Sequence, residues 1–513
     1  MHFDLSVPSQ LTAALLPDLI VMGGAMVLLL IGAWRRESAA RQKAVGIGAI
    51  LVCIAAAVAT VWMWRSGATA NDGVIAVDAF RWASDLIVLL ATVLAILLAL
   101  DYNDREQLIA PESHVLVLLA SSGMMLLTAA RDLMIVFLGI ELMSIAVYVL
   151  AGLNRRSSRA AEAALKYFLL GAFSTGFLLY GIALLYGATG STEIGAIGER
   201  LDGSALGQSP MLLIGMGLLL VGFGFKIAAA PFHMWTPDVY EGAPTPYTAY
   251  MASAVKVAGF AAFLRVWLEA FPATAWEGTN AAWYTALAGL AIVTMIVGNI
   301  VALAQKNIKR LLAYSSIAHA GYILVALVVG TSAGASAFIF YLIAYTLATM
   351  GAFAVIIALG ESGERNLDVA DYSGLWTVRP GLAAAMAVFM LAMLGFPIAG
   401  GMGFFAKWYV LDAALDAPRP QVALAVLVVL TSVISAGYYL YVVMVMFMRP
   451  RPADAPAPAR VPRLTAAVIA ISAVGILYFG IFPGWAIHLA RLSAPATATA
   501  PAAGPPLSVA PAR

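Results

Sequence analysis

Apolar runs of about twenty residues follow one another along nearly the whole chain of 513 residues, broken only by short polar stretches. One helical crossing of a bilayer needs about twenty such residues. The runs centre near Met22, Ala55, Leu90, Leu119, Ile140, Gly176, Leu218, Val257, Ile292, Ala320, Ile343, Leu391, Val433 and Gly475. The expected fold class is therefore an all-α polytopic membrane protein with about 14 transmembrane helices. Only 11% of the residues are charged, against roughly a quarter in a soluble domain, so lipid is the main solvent. The first run has no basic segment ahead of it and no convincing cleavage site, and it reads as a retained span rather than a leader.

Composition removes several function classes. A net charge of +2 supplies no concentrated basic face for nucleic acid. A single cysteine, Cys53, excludes an Fe–S cluster, a cysteine-rich zinc site and an internal disulfide. Cys53 reads as a small residue facing lipid or a neighbouring helix. No metal site and no cofactor bound by this chain is expected.

Loop charge sets orientation, because short cytoplasmic loops carry an excess of Lys and Arg. Arg35, Arg36, Arg41 and Lys43 follow span 1. Arg155, Arg156 and Arg159 follow span 5, and Lys306, Lys309 and Arg310 follow span 9. Arg449, Arg451, Arg460 and Arg463 follow span 13. Alternating spans put all four groups on one side. That side is expected to be the cytoplasm, with both termini in the periplasm. The stretch from Asp101 to Glu112 is acidic on the same side, but acidic residues weigh little in this rule. The Ala/Pro/Thr-rich stretch from Ser493 to Arg513 is expected to be a disordered tail.

The informative residues are ionisable groups inside the apolar runs. A charge at bilayer depth is costly, so such a group pairs, faces water or carries function. Glu141 lies in the middle of IVFLGIELMSIAVYVL; a proton-transfer role is expected rather than a packing contact to a serine. Lys226 lies in LLLVGFGFKIAAAPFHMW, five residues before Pro231. Proline removes a backbone donor and frees a carbonyl one turn back, so the helix should break there. Broken helices at membrane depth are tolerated where they line a cavity. Lys256 lies in the next span, and Lys407 follows Pro397, Gly400, Gly401 and Gly403 in a second interrupted run. The apolar stretches on both sides of Lys226 are too long for it to snorkel to the surface. His319 is either a satisfied packing residue or a proton carrier, and His233 beside Pro231 has the same two readings. Lys166, nearer the cytoplasmic end of span 6, either snorkels or tunes Glu141.

Two interrupted, lysine-bearing helices five spans apart indicate an inverted repeat, because an odd offset turns the second copy over. The expected architecture has two inverted five-helix repeats, spans 4-8 and 9-13, containing broken helices 7 and 12. The expected units are residues 1-112 (spans 1-3), 113-271 (first repeat), 281-448 (second repeat), 449-492 (a loop and span 14) and 493-513 (the tail). Aligning Tyr148 with Tyr322 places Glu141 opposite Ser315. Two half-channels follow. One, around Glu141 and Lys226, opens to the cytoplasm. The other, around His319 and Lys407, opens to the periplasm. Lys256 joins them. Pairing between Glu141 and Lys226 would hold the lysine proton, and loss of the pairing would send it towards Lys407.

Three segments carry a family resemblance: GFGFKIAAAPFHMWTPDVYEGAPTP (Gly222 to Pro246), RLLAYSSIAHAGYIL (Arg310 to Leu324) and LAMLGFPIAGGMGFFAKWYV. The chain resembles the antiporter-like, proton-translocating subunits of respiratory complex I (NADH–quinone oxidoreductase) and the Mrp-type cation/proton antiporters. The wording PFHMWTPDVYEGAPTP is most similar to the N-type (chain 2) branch. The resemblance spans roughly residues 75 to 450. It implies that the family's key glutamate falls on Glu141, its broken-helix lysine on Lys226, its central lysine on Lys256 and its terminal lysine on Lys407. It also implies that NADH, FMN, Fe–S clusters and quinone (ubiquinone or a relative) are handled by partner subunits. Those partners include the antiporter-like subunit M and small membrane subunits, in a bacterial inner membrane. The competing reading is an Mrp-type antiporter subunit moving Na⁺ or K⁺ against protons. A scaffold without transport would not need four costly buried charges.

Overall fold

A computed structural model of the chain describes residues 1–34, 38–70, 73–201, 209–271, 281–397, 400–453 and 460–494. Arg35, Arg36 and the tail from residue 495 onward lie outside the described residues. Among the described residues, twelve helices are long and apolar enough to cross a membrane in one piece. Spans 1 to 6 are Leu16–Ala33, Ala39–Arg65, Ala79–Glu106, Glu112–Ala129, Leu133–Ala151 and Ser158–Thr189. Spans 8 to 11 are Thr245–Ala270, Trp283–Ala302, Ile308–Val329 and Ser332–Leu359, and spans 13 and 14 are Val422–Met448 and Arg463–Ile481. The other two expected crossings are interrupted. Span 7 is Pro210–Lys226 followed by Thr236–Gly242, and span 12 is Pro380–Leu394 followed by Met402–Leu415. Every run read from the sequence thus corresponds to a helix, and the two carrying Pro231 and Pro397 are the two that break.

Polar residues set the helix starts. Asp78, Asp132, Ser157, Asn307 and Thr331 each turn a side-chain oxygen onto a backbone N–H of the first turn. Such caps satisfy donors that the helix itself cannot. Spans 8, 10 and 11 are enclosed by the rest of the bundle. Spans 1, 2, 6, 13 and 14 turn residues such as Leu30, Leu51, Phe173, Val433 and Ile481 outward, as expected of helices whose outer solvent is lipid.

The likeness between spans 5–7 and 10–12 extends to their ends. The residue capping span 5, Asp132, forms an isolated backbone bridge with Glu193, just past span 6. The residue capping span 10, Asn307, forms the same kind of bridge with Asp368, past span 11. One expectation needs correction. Ser493 is not the start of an irregular tail: it is buried and ends a helix, Pro483–Ser493, that follows span 14. Pro483 begins a fresh first turn, where its missing N–H costs nothing. The sequence reading overlooked that helix, and also the short helix Pro8–Ala14 ahead of span 1.

Candidate proton-transfer site

The first break is built around Lys226. Its helix stops at that residue, and Ala228 takes a left-handed conformation, φ 58°. The carbonyl of Phe225, which in the closing turn takes the N–H of Ala228 at 3.1 Å, also accepts the indole N–H of Trp235 at 3.1 Å. The N–H of Ala230 donates to Thr294 Oγ1 of span 9 at 3.0 Å. Protein groups thus answer the backbone polarity that a membrane would leave unsatisfied. Lys226 is only 3% exposed. Its ammonium donates to Ser144 Oγ at 2.7 Å and to Tyr148 OH at 3.3 Å, and lies 5.6 Å from the Tyr148 ring centre. Ser144 and Tyr148 lie three and seven residues after Glu141, on the same helical face. Glu141 is half-buried, and Lys226 is bonded to the two hydroxyls rather than to its carboxylate. The Glu141–Lys226 pair expected for one state is not the pairing of this conformation.

Span 8 meets this site directly. A Cβ added to Gly259 would lie 3.7 Å from that of Lys226. One turn earlier the helix widens into a π turn, Met251–Val255, immediately before Lys256. Such turns free backbone groups and recur at functional sites. Lys256 is 2% exposed and donates to the backbone carbonyl of Ser316 in span 10. The hydroxyl of Ser316 in turn accepts from Tyr345 OH at 2.8 Å. Three residues further along span 10, His319 holds Tyr341 OH at 2.7 Å on Nδ1 and Tyr439 OH at 3.0 Å on Nε2. Tyr439 also hydrogen-bonds Ser315.

The second break repeats the first with different residues. Span 12 stops at Leu394, Gly395 turns left-handed at φ 77°, and the helix resumes at Met402 after Gly401 at φ 50°. Lys407 is 7% exposed. It donates to the Leu394 carbonyl, at the end of that helix, at 2.9 Å and to Ser432 Oγ at 3.0 Å. Its ammonium lies 4.5 Å from the centre of the Tyr322 ring. Each broken-helix lysine therefore faces a tyrosine, Tyr148 or Tyr322, the two residues that align between the repeats. Ser315, which that alignment sets opposite Glu141, bonds Tyr439 instead of a lysine.

The structure brings Lys226, Lys256, His319 and Lys407 into one buried polar series with Glu141 at its edge. His233 lies in the first break, half-buried, with Nδ1 meeting no partner among the described residues. Lys166 lies elsewhere. It pairs with Glu162 and with Asp238, both at 2.7 Å. Asp238 also receives Arg310 at 2.7 Å, and Arg310 reaches Glu241 at 3.1 Å. The TPDVYEGAPTP stretch is thus a rim that fastens spans 6, 8 and 10 at one face. Sequence reasoning overlooked the hydroxyl partners Ser144, Tyr148, Ser316, Tyr341, Tyr439 and Ser432. The available signal was the recurrence of Ser and Tyr three, four and seven residues apart beside Glu141 and His319.

The transmembrane family model of the NADH:quinone oxidoreductase/Mrp antiporter proteins matches residues 130–435, which include both breaks. The chain belongs to this NADH:quinone oxidoreductase/Mrp antiporter family. It is similar to NADH-quinone oxidoreductase subunit N of Gemmatimonas aurantiaca, 53% identical over 96% of this chain and 95% of that protein. It is also similar to subunit N of Trichlorobacter lovleyi, 45% identical over 93% of this chain and 96% of that one. A chain of respiratory complex I from Thermus thermophilus superposes with a TM-score of 0.77 at 38% identity, covering 93% of this chain and 99% of that chain. A chain of the Mrp complex from Dietzia sp. has a TM-score of 0.79 at 21% identity, covering 93% and 97%, and shares the fold. The two broken helices lie inside the matched region, while spans 1 to 4 and span 14 lie outside it.

Proposed function

We propose that this chain acts as the N-type, proton-translocating membrane subunit of an NADH–quinone oxidoreductase, coupling electron transfer in other subunits to proton movement through its own interior. The observation that carries this is the state of Lys226, Lys256 and Lys407. Each is nearly fully buried, and each is held by hydroxyl or carbonyl oxygens, with no carboxylate ion pair among the described residues. A static scaffold would neutralise or remove such groups, because a buried cation without a counter-ion is costly. Groups that must gain and lose protons need that instability. The names of the 53% and 45% identical relatives support the N-type assignment over cation/proton exchange.

In this reading Glu141, Lys226, Lys256 and Lys407 transfer protons. His319 and its tyrosines carry them between Lys256 and Lys407, and His233 supplies the mouth of the first break. Lys166 serves the rim. The five-helix units 113-271 and 281-448 form the two half-channels, the first opening to the cytoplasm and the second to the periplasm. NADH, FMN, Fe–S clusters and quinone belong to partner subunits. The chain docks with the antiporter-like subunit M and with small membrane subunits in the bacterial inner membrane, both termini periplasmic. The test is Lys226→Ala in the assembled complex, in inverted membrane vesicles. NADH-driven quinone reduction and acidification of the vesicle lumen are expected to fall together. Wild-type rates of both in the assembled variant would overturn the role of Lys226.

A further inference from the structure

A second buried charge cluster lies away from the lysine series, where the ends of spans 1, 3 and 4 meet. Arg81 is fully buried. Its guanidinium donates to Asp18 Oδ2 at 2.5 Å and to the carbonyls of Ala76 at 2.9 Å and Ala14 at 3.3 Å. Its Nε lies 3.5 Å from Oδ2 of Asp85, which is also fully buried. That separation is too long for a hydrogen bond, and neither atom has a hydrogen-bond partner among the described residues. Two neighbouring carboxylates are already matched: Asp78 takes both terminal nitrogens of Arg265 at 2.8 and 3.0 Å, and Glu269 lies 3.1 Å from Arg265 and 3.7 Å from Arg131. Asp18 and Asp85 therefore share one cation, Arg81, and Asp18 holds it.

Among the described residues, the carboxyl of Asp85 has one hydrogen-bond partner, Thr128 Oγ1 at 2.5 Å. The same threonine oxygen lies 2.8 Å from the carbonyl of Met125. A hydroxyl has one proton, and a carbonyl can only accept. If the threonine proton goes to Met125, the short contact to Asp85 needs a proton on the carboxyl. A second ionised carboxylate beside a single fully buried guanidinium would leave a buried charge uncompensated.

We propose that Asp18, Arg81, Asp85 and Thr128 form a proton-binding site separate from the lysine series, with the proton on Asp85. Ionisation of Asp85 requires Arg81 to leave Asp18, so the two carboxyls exchange one guanidinium and one proton. Since Asp18 opens span 1 and Arg81 belongs to span 3, the exchange alters how span 1 is fastened to the bundle.

The test is infrared spectroscopy of the purified complex containing the full chain, reading the carbonyl band of protonated carboxylic acids. Asp85→Asn is expected to assemble, because an amide replaces a neutral acid of the same shape, and to lose one acid band. Asp18→Asn is expected to lose the same band although Asp85 is retained, because Arg81 is then free to pair with it. Persistence of the band in Asp18→Asn would overturn the shared guanidinium. An unchanged spectrum in Asp85→Asn would overturn the proton on Asp85. If Asp18→Asn fails to assemble, Thr128→Val decides: a shift of the acid band is expected, and no shift would overturn the assignment.

Discussion

Single residues in this chain bear unusual loads where burial removes water as an alternative partner, and Glu364 shows it at the rim, paired with the fully buried Lys309. It lies in the loop after span 11 with φ 53°, a left-handed backbone that side chains avoid. Strain of this kind, about 1–3 kcal/mol, persists only where the surroundings hold it. The carboxylate accepts from Tyr102 OH of span 3 at 2.6 Å, from Thr245 N–H and Oγ1 at 2.9 and 2.6 Å, and from the buried Lys309 at 2.7 Å. Burial alone would raise its carboxyl, but Lys309 and the hydrogen bonds outweigh that and hold it below the usual carboxylate range. A carboxyl depressed by folding contributes stability above its unfolded value and loses it as pH falls through the folded value. Glu364→Gln removes one partner of a largely buried ion pair, a change costing about 3–5 kcal/mol. We expect amide hydrogen exchange of the 361–366 loop to accelerate in the variant at neutral pH. In the wild type the same acceleration is expected only on acidification through the carboxylate range. Equal protection in both proteins at neutral pH would show that Glu364 does not hold the loop.

Among the elements, the two breaks were legible in the sequence for different reasons. Pro231 and Pro397 announce lost backbone donors, and the helices do stop ahead of them, at Lys226 and Leu394. What the chain did not announce is what refills the gaps: the Trp235 indole on Phe225 O, the Thr294 hydroxyl on Ala230 N–H, the Lys407 ammonium on Leu394 O. Two of these three are local and one crosses to span 9, so local pattern alone could not yield the full set. The π turn before Lys256 left no mark either, since MASAV contains neither proline nor glycine. The second break also depends on span 14. A Cβ on Gly480 would stand 2.3 Å from the Cα of Gly401, a backbone contact with no flexible end to give way. Gly480→Ala should therefore push span 14 off the break, at a cost of about 1–3 kcal/mol. A lower melting temperature and slower proton pumping of the assembled complex are the expected readings. Gly484→Ala is the control, because a Cβ there meets nothing within 4 Å. Equal behaviour of the two variants would remove span 14 from the support of Lys407.

At the scale of the whole molecule, number and order of crossings were legible because hydropathy reports burial in lipid one span at a time. Orientation was inferred from loop charge, and the structure refines which charges bear on it. Lys309 and Arg310, counted among the loop cations, are tied into ion pairs at the rim with Glu364, Asp238 and Glu241. Arg155, Arg156 and Arg159 are exposed and remain available to an anionic leaflet. The loops after spans 5 and 11 share this face: Arg159, Glu241 and Glu364 line one cavity of about 360 Å³. The opposite face carries Thr69, after span 2, exposed like Ser362. Cys53 is buried, so it leaves a background low enough for introduced thiols to report sidedness. Ser362→Cys should react with a membrane-impermeant maleimide in inside-out vesicles and stay unreacted in right-side-out ones, and Thr69→Cys should do the reverse. Mass spectrometry of this chain after labelling reads the outcome. An inverted pattern would move Lys226 and its half-channel to the periplasmic side, and the direction of proton movement through Lys226, Lys256 and Lys407 would have to be reversed with it.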